Sequence, residues 1–321
     1  MANKFIYQLV FFFLIGYLFL SCLQLLIDTT LKKSEAEPYA QWNIIRKDTI
    51  NADIIINGSS KAWTQFSPEI IQNITSKKTY NLGLDGYGFF LQYLKFNLYK
   101  QNNKLPQLII QVVSTSTLSK REGIYRKNQF SPHLNDNEIF KDVVTFKGVT
   151  ARDKYIPLIK YSGEIKHVIQ GTVNYLTQDK LFKSKLKNGY FGRDWGWDNS
   201  FDLFKKENPN GVKIKLSEKT ILRFKLYLDW FVKNNIIIVL VSPPSYKESQ
   251  DYIINYDEIL NLYKKYSNNE GIYFIDYSNS YFCYSKEYFY NSQHLNKKGS
   301  ELFSKDISLK IQKIQKNLLE K

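Results

Sequence analysis

The sequence predicts an α/β fold: a doubly wound, parallel five-stranded sheet, preceded by a transmembrane helix and interrupted by a long insertion after the third strand. Three observations lead there. Short β-branched apolar runs recur and end in glycine or polar turns, segments with helical periodicity separate them, and an uncharged apolar stretch occupies the front.

That stretch, residues 5–27, reads "FIYQLVFFFLIGYLFLSCLQLLI". At 1.5 Å of rise per residue, about twenty such residues cross a bilayer core. A cleaved signal peptide has a shorter apolar core, and "FLSC" has Phe19 where a lipoprotein signal prefers Leu. Lys4 on one side and Lys32 with Lys33 on the other nearly balance the positive-inside rule. Residues 1–27 are therefore expected to anchor the chain, 28–50 to form a polar linker, and 51–321 to form the main domain.

Within that domain "ADIIING" is the first buried parallel strand, and "KTYNLG" the second, after a helix from Pro68 to Thr75. "FFLQYLKFNLYKQN" has helical spacing and leads to the third strand, "PQLIIQVV". The fourth, "NNIIIVLVSPP", follows a helix that Ser217 and Glu218 would start. The fifth, "GIYFIDYS", follows "YDEILNLYKKYS", and a last helix runs from about Asn296 to Lys316. Residues 119–212 form the insertion, which includes the Gly- and aromatic-rich "NGYFGRDWGWDNS".

The net charge of +15 suits an acidic partner such as anionic polysaccharide or lipid head groups. The lysines are scattered and match no nucleic-acid motif, so nucleic acid is not expected as a partner. Cys22 and Cys283 lie far apart with no C-x-x-C spacing, and His133, His167 and His294 are the three histidines, so no metal site is expected.

In an open α/β sheet, ligands bind beyond the carboxyl ends of the strands. Strand one ends in "NGSSKAW", strand two in "NLGLDGYG", strand three in "STST", strand four in "SPPSYKE" and strand five in "DYSNS". A serine on the turn after strand one can act as a nucleophile if a histidine takes its proton, and His294 before the last helix can be that base. A glycine after strand two can bring a backbone N–H close to a developing oxyanion.

On "IIINGSSKAW", "YNLGLDGYG" and "YNSQHLNKKGSELFS", the chain resembles the SGNH or GDSL hydrolase superfamily, whose sheet is flavodoxin-like. More narrowly, it is similar to membrane-anchored bacterial members related to cell-surface polysaccharide O-acetyltransferases. The resemblance implies Ser60 as nucleophile, with Ser59 replacing the Asp of Gly-Asp-Ser, Gly83 as an oxyanion donor beside the Ser60 amide, and His294 as base. It also implies an extracytoplasmic acyl-ester transferase or esterase, single-pass in the cell membrane, acting on an envelope polysaccharide or acylated glycan. No metal or organic cofactor is required, and a membrane partner protein could donate the acyl group.

Two positions depart from the family pattern. The oxyanion asparagine of the third block is absent from "VVSTST", so Ser114, Thr115 or Ser116 would have to stand in, or that donor is missing. Asn291 stands where the triad acid is expected. Three readings stay open: another carboxylate (Asp276, Asp85 or Glu248) replaces it, a slow Ser60–His294 dyad is oriented by Asn291, or a catalytically degenerate module binds glycan or a partner protein. Trp195 and Trp197, with Tyr190 and Phe191, are candidates to stack on sugar rings, packing of the insertion being the alternative. Tyr246 and Lys247 are candidates to line the pocket, Lys247 meeting an anionic substrate.

Overall fold

The structure is a computed structural model that describes residues 2–178 and 180–319. The chain divides into two compact units, residues 1–46 with 122–184 and residues 47–121 with 185–321.

The second unit holds the sheet. Its strands are β1 (Ile54–Asn57), β2 (Thr79–Asn81), β3 (Leu108–Val112), β4 (Ile237–Ser242) and β5 (Ile272–Asp276), all parallel in the order β2-β1-β3-β4-β5. The reversal on either side of β1 is the doubly wound topology that the strand spacing predicts. Alternate side chains point to opposite faces of a strand. Ile54, Ile56, Leu108, Ile110, Val112, Val239 and Val241 accordingly share one core with Phe303, Ile307 and Ile311 of the C-terminal helix, Lys297–Leu319. Helices Phe89–Asn102 and Glu218–Lys233 meet through aromatic contacts such as Phe96–Phe231, with ring centroids 4.9 Å apart. Local chemistry sets helix starts: Ser67 and Ser217 cap Pro68–Thr75 and Glu218–Lys233 through their side chains, accepting from Ile70 N and Thr220 N. A short antiparallel pair that the sequence reading did not foresee, Phe289–Asn291 with His294–Leu295, precedes the last helix.

The first unit corrects the expected boundaries. Residues 28–46 are not a free linker: Asp28, Ser34, Tyr39 and Trp42 are buried, and Trp42 packs on Phe130 at 4.7 Å and donates to Gln129 Oε1 at 2.6 Å. Asn43 donates to the carbonyls of Leu31 and Ser34 at 2.7 Å each. Residues 122–184 of the expected 119–212 insertion belong to this unit, together with the N-terminal helix Ala2–Leu31, because they supply its buried polar partners. That helix is long and apolar enough to cross a membrane. The remainder of the insertion, including the aromatic-rich segment, belongs to the sheet-bearing unit.

Candidate active site

Ser60 opens the helix Ser60–Gln65 directly after β1. The turn between them is tight because Gly58 lies where a Cβ would come within 2.8 Å of both Ala62 Cβ and Val112 Cβ. Asn81, at the end of β2, ties this helix down by donating to the carbonyls of Ala62 and Phe66 at 2.7 and 3.0 Å. Ser59, at the N-cap, makes no side-chain cap bond.

The antiparallel pair carries the rest of the machinery. Ser60 Oγ lies 2.7 Å from His294 Nε2, and His294 Nδ1 lies 2.9 Å from Asn291 Oδ1. The same Oδ1 accepts the backbone N–H groups of Gln293 and His294, each at 3.0 Å. Two backbone donors fix which end of the amide is oxygen, and an amide oxygen only accepts. The His294 proton therefore sits on Nδ1, and the lone pair of Nε2 faces the Ser60 hydroxyl. Asn291 thus orients the ring without supplying charge.

The alternative carboxylates are elsewhere. Asp276 is exposed and accepts from Ser278, Glu248 pairs with Lys205 at 2.7 Å, and Asp85 lies 3.8 Å from Arg193. The reading in which one of them replaces the acid is overturned by the Asn291–His294 contact.

His294 is held in its neutral form. Burial is the main cause of a pKa pushed down to about 3, and the Lys61 and Arg193 cations add to it. Tyr290 stacks on the imidazole with centroids 5.4 Å apart and rings 7° from parallel. Lys61 is itself buried, which lowers its pKa to about 8, and it donates to Ser245 Oγ at 2.5 Å.

Gly83 does not hold the role expected of it. Its N–H donates to Asn81 Oδ1 at 2.7 Å, and a Cβ there would lie 2.4 Å from Trp63 N. The glycine is required for close packing against the helix Ser60–Gln65, and its amide is already engaged. Ser116 lies in a local hydroxyl turn, its Oγ 3.3 Å from Ser114 Oγ, while Tyr263 OH donates to the Ser114 carbonyl.

The aromatic segment is stitched to the site by backbone bonds: Asn81 N to Asn188 O at 2.9 Å, Phe191 N to Trp63 O at 3.0 Å, and Lys297 N to Arg193 O at 2.7 Å. Phe191 stacks on Trp63 at 5.0 Å, and Trp195 meets Tyr290 edge-on at 5.7 Å. Trp197 packs instead against Tyr246 at 4.9 Å, with the Lys286 ammonium 4.8 Å from the Trp197 ring. Lys247 bonds Asp251 at 2.6 Å and is not a free cation.

Arg193, Lys61 and Tyr290 escaped the sequence reading. The signal for Lys61 was its place beside the nucleophile; for Arg193 it was a lone cation in an aromatic run. The Arg193 guanidinium lies 4.4 Å from the Trp195 ring and between 5.3 and 5.7 Å from those of Tyr290, Trp63 and Phe191.

No family model and no curated protein matches the chain. Among solved structures it is similar to one described as a lipolytic protein of the G-D-S-L family from Desulfitobacterium hafniense DCB-2, at 12% identity and a TM-score of 0.37, covering 80% of this chain and 97% of that one. A second, described as a platelet activating factor from Streptococcus pneumonia, gives 13% and 0.37, covering 96% and 98%. A third, described as an acylhydrolase from Bacteroides fragilis NCTC 9343, gives 13% and 0.34, covering 86% and 96%. The catalytic geometry, not this likeness, carries the functional reading.

Proposed function

We propose that the protein is a serine esterase or O-acyltransferase acting on acyl esters of a cell-envelope polysaccharide, with its sheet-bearing unit outside the cytoplasm. The supporting observation is the fixed tautomer: Ser60 Oγ stands 2.7 Å from a His294 Nε2 whose lone pair is free to accept. Ser60 attacks the acyl carbon as its proton passes to Nε2, and the imidazolium keeps its Nδ1–H on Asn291. The Ser60 amide receives the oxyanion. The Gly83 and Leu84 amides are engaged by Asn81 Oδ1 and Gly58 O. Collapse of the intermediate expels the alcohol, which takes the proton from His294. Water or a glycan hydroxyl then repeats the sequence on the acyl-enzyme.

Arg193 and Lys61 bring positive charge to His294, which suits an anionic glycan. A membrane protein that delivers the acyl group is the proposed source for a transferase. The test is hydrolysis of an activated acetyl ester by the full-length chain in detergent, beside Ser60→Ala. A Ser60-dependent rate supports the reading. Equal rates in both proteins, or none in either while both remain folded, would remove esterase chemistry and leave the non-catalytic glycan- or partner-binding module.

A further inference from the structure

From the first unit alone we infer that the edge bearing Tyr155 and Ile156 is sunk into membrane hydrocarbon beside the helix Ala2–Leu31, a reading that rests on that helix spanning the bilayer. Tyr17, Gln24 and Asp28 in the second half of the helix are each matched to this edge. Tyr17 OH donates to the Tyr155 carbonyl at 3.0 Å, and the Leu158 amide donates to Gln24 Oε1 at 2.7 Å. Asp28 pairs with Lys160 at 2.8 Å and accepts from Tyr161 OH. Residues 155–161 thus follow the helix from position 17 to position 28, about 16 Å of rise.

This length decides where the membrane lies. A hydrocarbon core about 30 Å thick takes about twenty helical residues. If residues 155–161 stayed in water, only residues 5–16 of the apolar run would remain in the bilayer, about 18 Å of helix, too short to cross. Counted from Phe5, a full span ends near Gln24 and leaves Tyr17 about 10 Å below the surface. The neighbouring edge goes with it.

Its side chains fit that medium. Tyr155 and Ile156 are 63% and 46% exposed, and Leu18 and Phe19 of the helix are 61% and 68% exposed. Backbone groups in hydrocarbon need protein partners because no water is there to bond them. Tyr17 and Gln24 supply those partners. The surface is continuous with the lipid-facing side of the anchor, so the occupant is lipid acyl chain rather than a second protein.

The test uses the full-length chain with Cys22→Ser and Cys283→Ser, reconstituted in phosphatidylcholine–phosphatidylglycerol vesicles and nitroxide-labelled at Tyr155→Cys or Ile156→Cys. Leu18→Cys is the lipid control, and Lys183→Cys, from an exposed ion pair with Glu35, is the aqueous one. Tyr17 bonds the backbone of residue 155, so Tyr155→Cys leaves that hydrogen bond in place. The expected result is collision with oxygen at least threefold favoured over a nickel chelate at 155 and 156, relative to 183, matching position 18. Nickel access at 155 and 156 with oxygen access at 18 overturns the embedded edge while keeping the anchor. Nickel access at 18 overturns both, and shielding from both reagents at 155 and 156 overturns lipid in favour of a protein neighbour.

Discussion

Asn291 Oδ1 lies 2.9 Å from His294 Nδ1 and is locked there by the amides of residues 293 and 294. The position of a triad acid is therefore filled, in shape and hydrogen bonding, by a neutral group. Asn291→Asp should keep all three bonds and add the missing charge, beside a histidine on which the Lys61 and Arg193 cations already act. In serine proteases the reverse change costs about four orders of magnitude. A rise in kcat of at least tenfold is expected; an unchanged or lower rate with Ser60 still required would mean that the imidazolium needs no carboxylate here.

The pH profile follows from the same pair. With the His294 pKa near 3, the wild-type acid limb should lie well below pH 6, since the base stays neutral. Asn291→Asp should move that limb towards neutrality, because a carboxylate stabilises the imidazolium. Titration of kcat/KM in both proteins checks it.

Stability should fall in acid. His133 is buried and His294 largely removed from solvent, and both are neutral, each with a folded pKa of about 3 against an ordinary 6.5. Between those values the unfolded chain binds more protons, so stability rises with pH through the window and is lost as pH falls. Thermal unfolding between pH 7 and 4 should show a midpoint that drops steadily below about pH 6.5.

Asp28 and Lys160 form a buried ion pair. Asp28→Asn leaves an uncompensated ammonium in a dry interior, at a cost of about 3–5 kcal/mol. The unfolding midpoint should drop sharply, and a chain starting at residue 34 should fold poorly because it loses the same partner. An unchanged midpoint for Asp28→Asn would show that Lys160 is neutral in the native state.

Gly83→Ala should damage folding rather than only chemistry, since its Cβ would collide with the Trp63 backbone. A destabilisation of about 1–3 kcal/mol is expected from such overpacking, read in chemical denaturation. Loss of activity with unaltered stability would return the glycine to the oxyanion site.

Arg193→Ala should raise KM for an anionic acyl ester by about tenfold, the 1.4 kcal/mol of one charge-assisted contact, and leave a neutral ester nearly unaffected. Equal effects on both esters would mean that Arg193 holds the aromatic segment rather than substrate.

The sequence by itself determined the sheet, because β-branched runs such as "IIIN" and "IIVLVS" suit buried parallel strands and little else, and it ordered Ser60, Asn291 and His294 along the chain. It also marked the apolar helix, since length and hydropathy are local properties. Tertiary structure alone decided what each polar group meets. Gly83 and Gly86 look alike in "NLGLDGYG", but only packing shows that the first abuts Trp63 with its amide engaged by Asn81. Asp28 and Lys160 are far apart in sequence, and nothing local says that a lysine in the insertion pairs with an aspartate near the end of the N-terminal helix. Burial and pairing depend on contacts between distant segments, whereas strand and helix signals are carried by adjacent residues.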